Sequence, residues 1–230
     1  TAFFLSHRLK VSVSFSGHPA IKDTIEAQGL VHTEIDLIVV NRRAVTFNYH
    51  LNNGDRAAFY PRVQNLPLPE EKHLIPHQLT PPAFICDRQL GKCARNLRLL
   101  GLDTLYASSG ESNAIIRRSL EENRMVLTRN KKLLRYNNLR LGYWVRSADP
   151  DIQSAEIVHR FGLQDKLTPF SRCLECNGLI VSVEKKKIVD RLEKKTRLYI
   201  DSFYRCCGCG KIYWKGSHYK KMRGWLEDFF

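Results

Sequence analysis

Two cysteine pairs near the C-terminal end offer the most definite chemistry in this sequence. They are Cys173-x-x-Cys176 and Cys206-x-x-Cys209. Two thiolates from each pair can form a tetrahedral sulfur cage that suits Zn²⁺, and a cage with all four positions filled is structural rather than catalytic. The alternative is four buried or disulfide-bonded cysteines. Two pairs at this spacing predict a closed zinc site, and the intervening residues 177–205 suit the strands of a zinc ribbon.

Acidic and amide side chains follow predicted strands in the middle of the chain. Asp87 follows the apolar run Ala83–Cys86, Asn130 comes shortly after Met125–Leu127, and Glu111 begins a helix between them. Because the site of an open α/β sheet lies beyond the carboxyl ends of its strands, we expect all three to face one crevice. Clustered carboxylates hold Mg²⁺ or Mn²⁺ for phosphodiester hydrolysis. The alternatives are a helix N-cap for Asp87 and a dipole-stabilising residue for Glu111.

The distribution of charge points to a polyanionic partner. The 230 residues carry a net charge of +14, with 43% hydrophobic and 26% charged residues, as is typical of a globular protein. Residues 1–80 carry 8 Lys/Arg and 7 Asp/Glu (net +1), residues 81–170 carry 15 and 9 (+6), and residues 171–230 carry 14 and 7 (+7). Since no basic amphipathic anchor is evident, this asymmetry favours nucleic acid over a membrane.

Candidate contacts to nucleic acid are cations in two parts of the chain. Those in the middle part form a stripe on a predicted helix or flank Asn130, although such a stripe alone is typical of a solvated helix face: Arg88, Lys92, Arg95, Arg98, Arg129 and Lys131. Those near the C-terminus are Lys215, His218, Lys220 and Lys221.

Aromatic residues are interleaved with the C-terminal cations. They are Tyr213, Trp214, Tyr219 and Trp225. Cations beside aromatic faces suit single-stranded or looped RNA, where unstacked bases can lie on rings. In the alternative, Tyr213 and Trp214 pack on the ribbon and only the lysines are exposed. His218 is then an RNA contact or a packing residue, because the zinc already has four ligands.

The elements that must position these groups begin with a small N-terminal domain. Its predicted strands and helix are Leu9–Phe15, a helix around Ile21–Gln28, Ile35–Val40, Val45–Tyr49 and Arg56–Tyr60. This order is typical of a β-grasp, ubiquitin-like domain over residues 1–62. Ubiquitin-like carriers end in an activated Gly-Gly tail, whereas this segment ends in Tyr60-Pro61-Arg62, so a carrier role is not expected. Six of the nine prolines lie between residues 61 and 82, and they predict an extended linker over residues 63–82.

Strands alternate with helices after the linker. The predicted strands are Ala83–Cys86, Asp103–Tyr106, Met125–Leu127 and Tyr143–Arg146, and the helices follow Asp87, Glu111 and Asp149-Pro150-Asp151. Alternation of this kind predicts an α/β domain with a parallel sheet over residues 83–168. The zinc ribbon with its basic and aromatic tail is then expected over residues 169–230.

The cysteine usage and hydropathy predict a cytoplasmic protein. Seven cysteines is an odd number, and four are assigned to the zinc site, which favours a reducing compartment. No run approaches the roughly 20 apolar residues that span a bilayer, and no signal sequence is recognised. We therefore expect RNA as a partner, no membrane, and a candidate surface for a protein partner on the β-grasp domain.

Four motifs in order resemble a PIN-like ribonuclease family named for the C-terminal domain of a mutator-type exonuclease. Residues 84–101 (FICDRQLGKCARNLRLLG) resemble its opening motif, and residues 122–134, which include NRMVLTR, are similar to its second. Residues 172–178 (RCLECNG) and 213–219 (YWKGSHY) resemble its zinc-ribbon signatures. Bacterial members often carry a ubiquitin-like domain in front, so the resemblance covers nearly the whole chain.

The resemblance implies a PIN-like fold and metal-dependent RNA cleavage. By position, Asp87 would be the first metal-binding acid and Glu111 a second. The sequence departs from the family at Asn130, where the motif ends in Asp. An amide offers one carbonyl oxygen but no charge, so metal affinity and hydrolysis should be weakened. A natural member with reduced activity and an introduced Asp-to-Asn change both fit, and the rival function is a non-catalytic RNA-binding or ribosome-associated factor.

Overall fold

The computed structural model describes residues 11–61, 69, 72–75 and 82–229. The α-helices in chain order are α1 (Ile21–Ala27), α2 (Gly91–Leu99), α3 (Ser112–Glu121), α4 (Lys131–Leu134), α5 (Pro150–Arg160), α6 (Lys194–Tyr199) and α7 (Ser217–Phe229). The strands are β1 (Leu37–Val40), β2 (Arg43–Val45), β3 (Ala57–Tyr60), β4 (Phe84–Cys86), β5 (Thr104–Tyr106), β6 (Met125–Thr128), β7 (Gly142–Trp144), β8 (Ile180–Val183), β9 (Phe203–Cys206) and β10 (Ile212–Trp214).

The chain divides into two compact units, residues 1–78 with 112–144 and residues 79–111 with 145–230. In the first unit, β1 is the middle strand of an antiparallel sheet in the order β2-β1-β3, and Ile38 lies opposite both Val45 and Phe59. Helix α1 buries Ile21 and Ile25 in the same core as Ile38. One helix on an antiparallel sheet is the arrangement expected of the β-grasp domain.

The first predicted strand of that domain is wrong in its described part. Val11, Val13 and Phe15 belong to no strand, and their exposed fractions are 54%, 36% and 37%. Leu9 and Lys10 lie outside the described residues. Alternating apolar residues favour a strand only where a neighbouring strand supplies hydrogen bonds, and none pairs with residues 11–15 in the described chain.

Parallel strands connected through helices confirm the α/β prediction. In the first unit β6 runs parallel to β7, with Val126 opposite Gly142, and helix α4 lies between them in sequence. In the second unit β4 runs parallel to β5, with Phe84 opposite Thr104, and α2 connects them. Strands β4 and β6 are fully buried, as in sheets covered on both faces.

Glycine at position 101 lets a later loop approach the end of α2. Gly101 has φ +89°, and a Cβ there would lie 2.2 Å from the Thr168 carbonyl oxygen. The backbone N–H groups of Thr168 and Phe170 donate to the carbonyl oxygens of Leu100 and Leu99 at 3.0 and 2.9 Å. The loop that leads to the first cysteine is therefore fixed to α2.

The last part of the second unit is a small antiparallel sheet followed by a helix. Strands β8, β9 and β10 lie in the order β10-β9-β8. In the described part of the chain, the buried residues of the apolar cluster at this sheet are Ile188, Leu192 and Phe203. Lysines 185–187 form a 3-10 turn in the connection between β8 and β9. Among the described helices, none combines the length and the apolar character needed to cross a membrane.

Candidate functional site

The four predicted zinc ligands lie together. The sulfur atoms of Cys173, Cys176, Cys206 and Cys209 are all within 4.8 Å of one another. Cys173 Sγ lies 3.6 Å from Cys209 Sγ, and Cys176 Sγ lies 3.3 Å from Cys206 Sγ. Four sulfurs at about 2.3 Å from a zinc ion are about 3.8 Å apart, whereas a disulfide bond is about 2.05 Å long. All four cysteines are free. The cluster therefore fits a tetrahedral metal such as zinc.

Glycines allow the backbone to close around the sulfurs. The N–H groups of Gly178 and Gly208 donate to Cys176 Sγ and Cys206 Sγ at 3.5 and 3.3 Å. A Cβ at position 178 would lie 2.9 Å from Cys206 Sγ. Backbone donors aimed at sulfur stabilise the thiolate, which is the form that binds a metal.

The electrostatics of the cluster call for a cation. Burial raises the pKa of the Cys173 thiol, but hydrogen bonds from the Tyr213 hydroxyl and from backbone N–H groups outweigh it and lower the pKa to about 6. A backbone hydrogen bond from Lys211 lowers the pKa of Cys209, but burial and the other three sulfurs outweigh it and raise the pKa to about 12. Four thiolates this close together repel one another, and a bound cation would offset that repulsion.

Arg98 anchors the first cysteine loop, and its prediction as an exposed RNA contact is wrong. The side chain is buried, with Nε donating to the Thr104 carbonyl at 2.7 Å and Nη1 to the carbonyls of Leu174 and Glu175 at 2.9 Å each. Burial lowers the pKa of this guanidinium, although nearby sulfurs oppose the shift. The signal in the sequence is the spacing of four from Ala94, which lies on the buried face of α2.

Asn177 ties the same loop to the start of β5. Its Oδ1 accepts from the Thr104 N–H at 2.9 Å, and its Nδ2 donates to Asp103 at 2.8 Å. The guanidinium of Arg172 lies 3.3 Å from Asp103 and donates to the Asn177 carbonyl at 3.0 Å. No pattern in the sequence marks Asn177 beyond its place in the motif, because the partners of its side chain are 73 and 74 residues away.

Asp87 follows β4 and begins the turn that leads into α2. It is only 6% exposed, and its Oδ1 accepts from the Gln89 N–H at 3.0 Å. The N-cap alternative is therefore observed. Glu111 is exposed and directly precedes α3, which begins one residue later than expected.

Asn130 repeats this local arrangement after β6. Its Oδ1 accepts from the Lys132 N–H at 3.0 Å and caps α4, while its own N–H donates to Thr128 Oγ1 at 2.9 Å. The side chain is exposed. Asp87 and Asn130 thus occupy equivalent strand-to-helix positions and differ in charge.

A carboxylate cluster of the expected kind is not found in the described part of the chain. Within residues 11–61, 69, 72–75 and 82–229, the four cysteines are the one group of three or more His, Cys, Asp or Glu side chains close enough to share an ion. Asp87 and Glu111 belong to no such group. Asp151, a further acid, accepts from Asn96 and from the Trp225 indole N–H, each at 2.9 Å.

Most of the remaining candidate cations are exposed. Those on the strand-to-helix turns and on α2 are Arg88, Lys92, Arg95 and Arg129. Those at β10 and the start of α7 are Lys215, His218, Lys220 and Lys221. These eight side chains are available for contact with a polyanion.

Lys131 is engaged within the first unit. Its Nζ donates to the Gly29 carbonyl at 3.0 Å and lies 3.8 Å from the centroid of the Trp144 ring. One turn later, Arg135 Nη2 donates to the Glu26 carbonyl at 2.6 Å. The N-terminal domain therefore binds the segment that follows Asn130 through basic side chains on backbone carbonyls.

Buried polar residues of the N-terminal domain complete this contact, and sequence reasoning missed them. His32 Nε2 donates to the Leu139 carbonyl at 2.9 Å, and His32 Nδ1 lies 2.7 Å from Glu26 Oε1. Both ring nitrogens of His32 therefore lie within hydrogen-bonding distance of oxygen acceptors. Glu34 Oε1 accepts from the Trp144 N–H at 2.7 Å.

The aromatic residues near the C-terminus divide between packing and exposure. The Tyr213 hydroxyl lies 3.0 Å from Cys173 Sγ, so this ring belongs to the cysteine cluster. Trp214 is 40% exposed. The Tyr219 ring lies 4.6 Å from that of Phe170, at 35°.

Comparison with known proteins identifies the family. The sequence model described as the Mut7-C RNAse domain matches residues 82–226, and that described as Mut7-C ubiquitin matches residues 3–67. No curated protein and no solved structure matches the chain. The first match covers more than half of the 230 residues and agrees with the motifs around Asp87 and the cysteines. The chain therefore belongs to the Mut7-C RNAse domain family and carries a Mut7-C ubiquitin-like domain in front.

Proposed function

We propose that this protein is a metal-dependent ribonuclease that hydrolyses phosphodiester bonds of RNA. The observation that carries the proposal is the match to the Mut7-C RNAse domain over residues 82–226. The charge of +13 over residues 81–230, from 29 Lys/Arg and 16 Asp/Glu, supports an RNA substrate.

Asp87 is the acid on which the proposal most depends. It is a buried carboxylate at the end of a parallel strand, the place where α/β proteins carry their chemistry. Glu111 and Asn130 are the further candidates for the active site. A bound Mg²⁺ or Mn²⁺ would supply the charge that activates water and stabilises the departing oxygen. In this assignment the protein contributes carboxylate and amide oxygens, while exposed cations such as Arg88 and Arg129 contact the phosphates.

The cysteine cluster would hold a structural Zn²⁺ in a zinc ribbon. Its sulfur spacing and its place beside a three-stranded antiparallel sheet support this assignment. The cluster would then stabilise the basic end of the chain and take no part in cleavage. Exposed Lys215, His218, Lys220 and Lys221 would contact RNA there.

Asn130 favours a second candidate function, an RNA-binding or ribosome-associated factor without cleavage. An amide at this position caps α4 as an aspartate would, so the fold keeps its local structure while the site has one negative charge fewer. A divalent cation depends on that charge for its affinity.

Cleavage assays on the unmodified chain and three variants test the proposal. Structured and single-stranded RNA are incubated with Mn²⁺ and the unmodified chain, Asp87→Ala, Asn130→Asp or the double variant. Asp165→Ala removes an exposed acid from the same unit, and Asn113→Asp adds a carboxylate at an exposed position of α3, so they are the matched controls. We expect slow cleavage by the unmodified chain, an increase in Asn130→Asp, and none where Asp87 is replaced.

The outcomes separate the two functions. Cleavage by the unmodified chain that Asp87→Ala abolishes would exclude the purely binding factor. Binding without cleavage, with activity appearing only in Asn130→Asp, would identify a ribonuclease inactivated at one residue. If no variant cleaves any RNA, the ribonuclease proposal is wrong.

A further inference from the structure

An aromatic cavity of about 330 Å³ lies beside the cysteine cluster in the second unit. Its walls come from the loop before Cys173, from the sheet of β8 to β10 and from α7. Five of the lining residues are aromatic: Phe170, Tyr204, Tyr213, Trp214 and Tyr219. The volume is at the small end of the range of ligand pockets, which begins at about 300 Å³. It suits one planar ring rather than an extended ligand.

The wall formed by Phe170 is held in a strained conformation. Phe170 has φ +64°, which is rare for a bulky side chain. Its N–H donates to the Leu99 carbonyl at 2.9 Å, and its ring packs against Tyr219. Residues strained in this way persist only where the surrounding structure holds them in place. They concentrate at functional sites such as ligand clamps. The cavity is thus held open by a loop that is fixed to α2.

The surroundings of the cavity are strongly basic. Residues 202–226 contain six Lys/Arg and no Asp or Glu. Lys215 lines the cavity, and its Nζ lies 5.9 Å from the centroid of the Tyr219 ring. Arg172 also lines it, with its guanidinium fixed by Asp103 and by the Gly101 carbonyl. A ligand that combines a flat ring with a negative charge matches both the walls and the rim.

We propose that this cavity binds one unstacked base of single-stranded RNA, with the flanking phosphates at Lys215 and the exposed lysines of α7. The proposal rests on RNA being the substrate of the proposed ribonuclease. Stacking on aromatic rings explains the walls, and phosphate contact explains the cations around them. A polyanion without rings uses the cations alone, and duplex RNA keeps its bases stacked and paired, so neither fills the cavity.

Binding of RNA with and without bases tests the proposal on the unmodified chain. Fluorescence anisotropy is measured for a labelled ten-residue polyuridine and for the matching ribose-phosphate chain without bases, in about 0.1 M salt and without Mg²⁺ or Mn²⁺. We expect the ribose-phosphate polymer without bases to bind the protein about tenfold more weakly than polyuridine does, which is the usual effect of losing one stacked base. Equal affinity for the two would overturn the proposal.

Variants of the cavity locate the effect. Tyr219→Ala should weaken the binding of polyuridine about tenfold and leave the affinity for the ribose-phosphate polymer without bases unchanged. Tyr219→Phe keeps the aromatic ring and should keep the affinity for polyuridine. Tyr199→Ala removes an 80% exposed tyrosine of α6 that does not line the cavity, and it is the matched control. Trp214→Ala, at an exposed wall, provides a second variant should Tyr219→Ala disturb α7. An equal loss of both ligands in each of the two alanine variants would refute base binding.

Failure of this proposal is distinguishable from failure of the ribonuclease. Cleavage that depends on Asp87, together with equal binding of RNA with and without bases, would remove only the base pocket. Base-dependent binding without cleavage in any variant would remove only the catalytic assignment.

Discussion

The N-terminal domain and the C-terminal sheet are each attached to the rest of their own unit by basic side chains that donate to backbone carbonyls. The two differ in what stabilises them. In the first unit, Lys131 and Arg135 donate to the carbonyls of Gly29 and Glu26. In the second unit, Arg98 donates to the carbonyls of Leu174 and Glu175. The N-terminal domain has its own apolar core around Ile38, whereas the C-terminal sheet buries few apolar residues beside the cysteine cluster.

This difference predicts that the C-terminal sheet depends on a metal for folding and that the N-terminal domain does not. Small domains that bury little apolar surface need a metal or disulfides to fold, since the hydrophobic contribution does not offset the conformational entropy. Among the residues that the structure describes, the core around Ile38 has six buried residues and that around Phe203 has three. Three predictions test the comparison.

The largest effect is expected from Cys206→Ser. Loss of one of four ligands should release the metal, and a structural zinc site contributes about 10–16 kcal/mol to folding. Hydrogen exchange should then be fast in β8, β9 and β10 and unchanged in β1. Cys207→Ser is the control, because that exposed cysteine lies outside the cluster.

Identical zinc content and exchange in the two serine variants would show that the cluster is not a metal site. Arg98 and Asn177 tie the first cysteine loop to α2 and β5. The amide of Thr104 should therefore also lose protection from hydrogen exchange in Cys206→Ser, but more slowly than the amides of β8 to β10. If Thr104 keeps its protection in Cys206→Ser, the loss of structure is confined to the C-terminal sheet, and the contacts of Arg98 and Asn177 do not transmit it.

A smaller effect is expected from Arg98→Met. The substitution leaves the carbonyls of Thr104, Leu174 and Glu175 without a charged donor, and the first of these is buried, so it should lower the free energy of unfolding by about 3 kcal/mol. Arg95→Met, on the exposed face of the same helix, should change it by less than about 0.5 kcal/mol. Urea denaturation at constant zinc concentration measures both. Equal effects would mean that Arg98 is not the anchor of the cysteine loop.

The smallest effect is expected from Lys131→Met. It removes one hydrogen bond to Gly29 and the contact with the Trp144 ring, worth about 1 kcal/mol together. RNA affinity should stay the same, because the ammonium group is already engaged within the chain. Lys215→Met should do the reverse, weakening RNA binding without a change in stability. If Lys131→Met weakens RNA binding as much as Lys215→Met does, the original expectation of an RNA contact at Lys131 holds.

Local spacing was sufficient for some of these residues and insufficient for others. The cysteine pairs could be predicted because two ligands three residues apart form a loop that points both sulfurs to one side. The parallel strands could be predicted from apolar runs separated by helices. The anchoring role of Arg98 could not, because the spacing from Ala94 indicates only which face of α2 carries the side chain, whereas its acceptors are 6, 76 and 77 residues away.

The sequence by itself determined the family, the α/β alternation, the four sulfur ligands and the charge difference between Asp87 and Asn130. These depend on residue identity and on contacts between near neighbours. Only the tertiary structure decided which cations are exposed, that His32 and Glu34 bind the segment after Asn130, and that aromatic residues from three separate segments enclose a cavity. Such features depend on contacts between distant parts of the chain, and the free energy of those contacts is set by packing and burial rather than by the local pattern of residues.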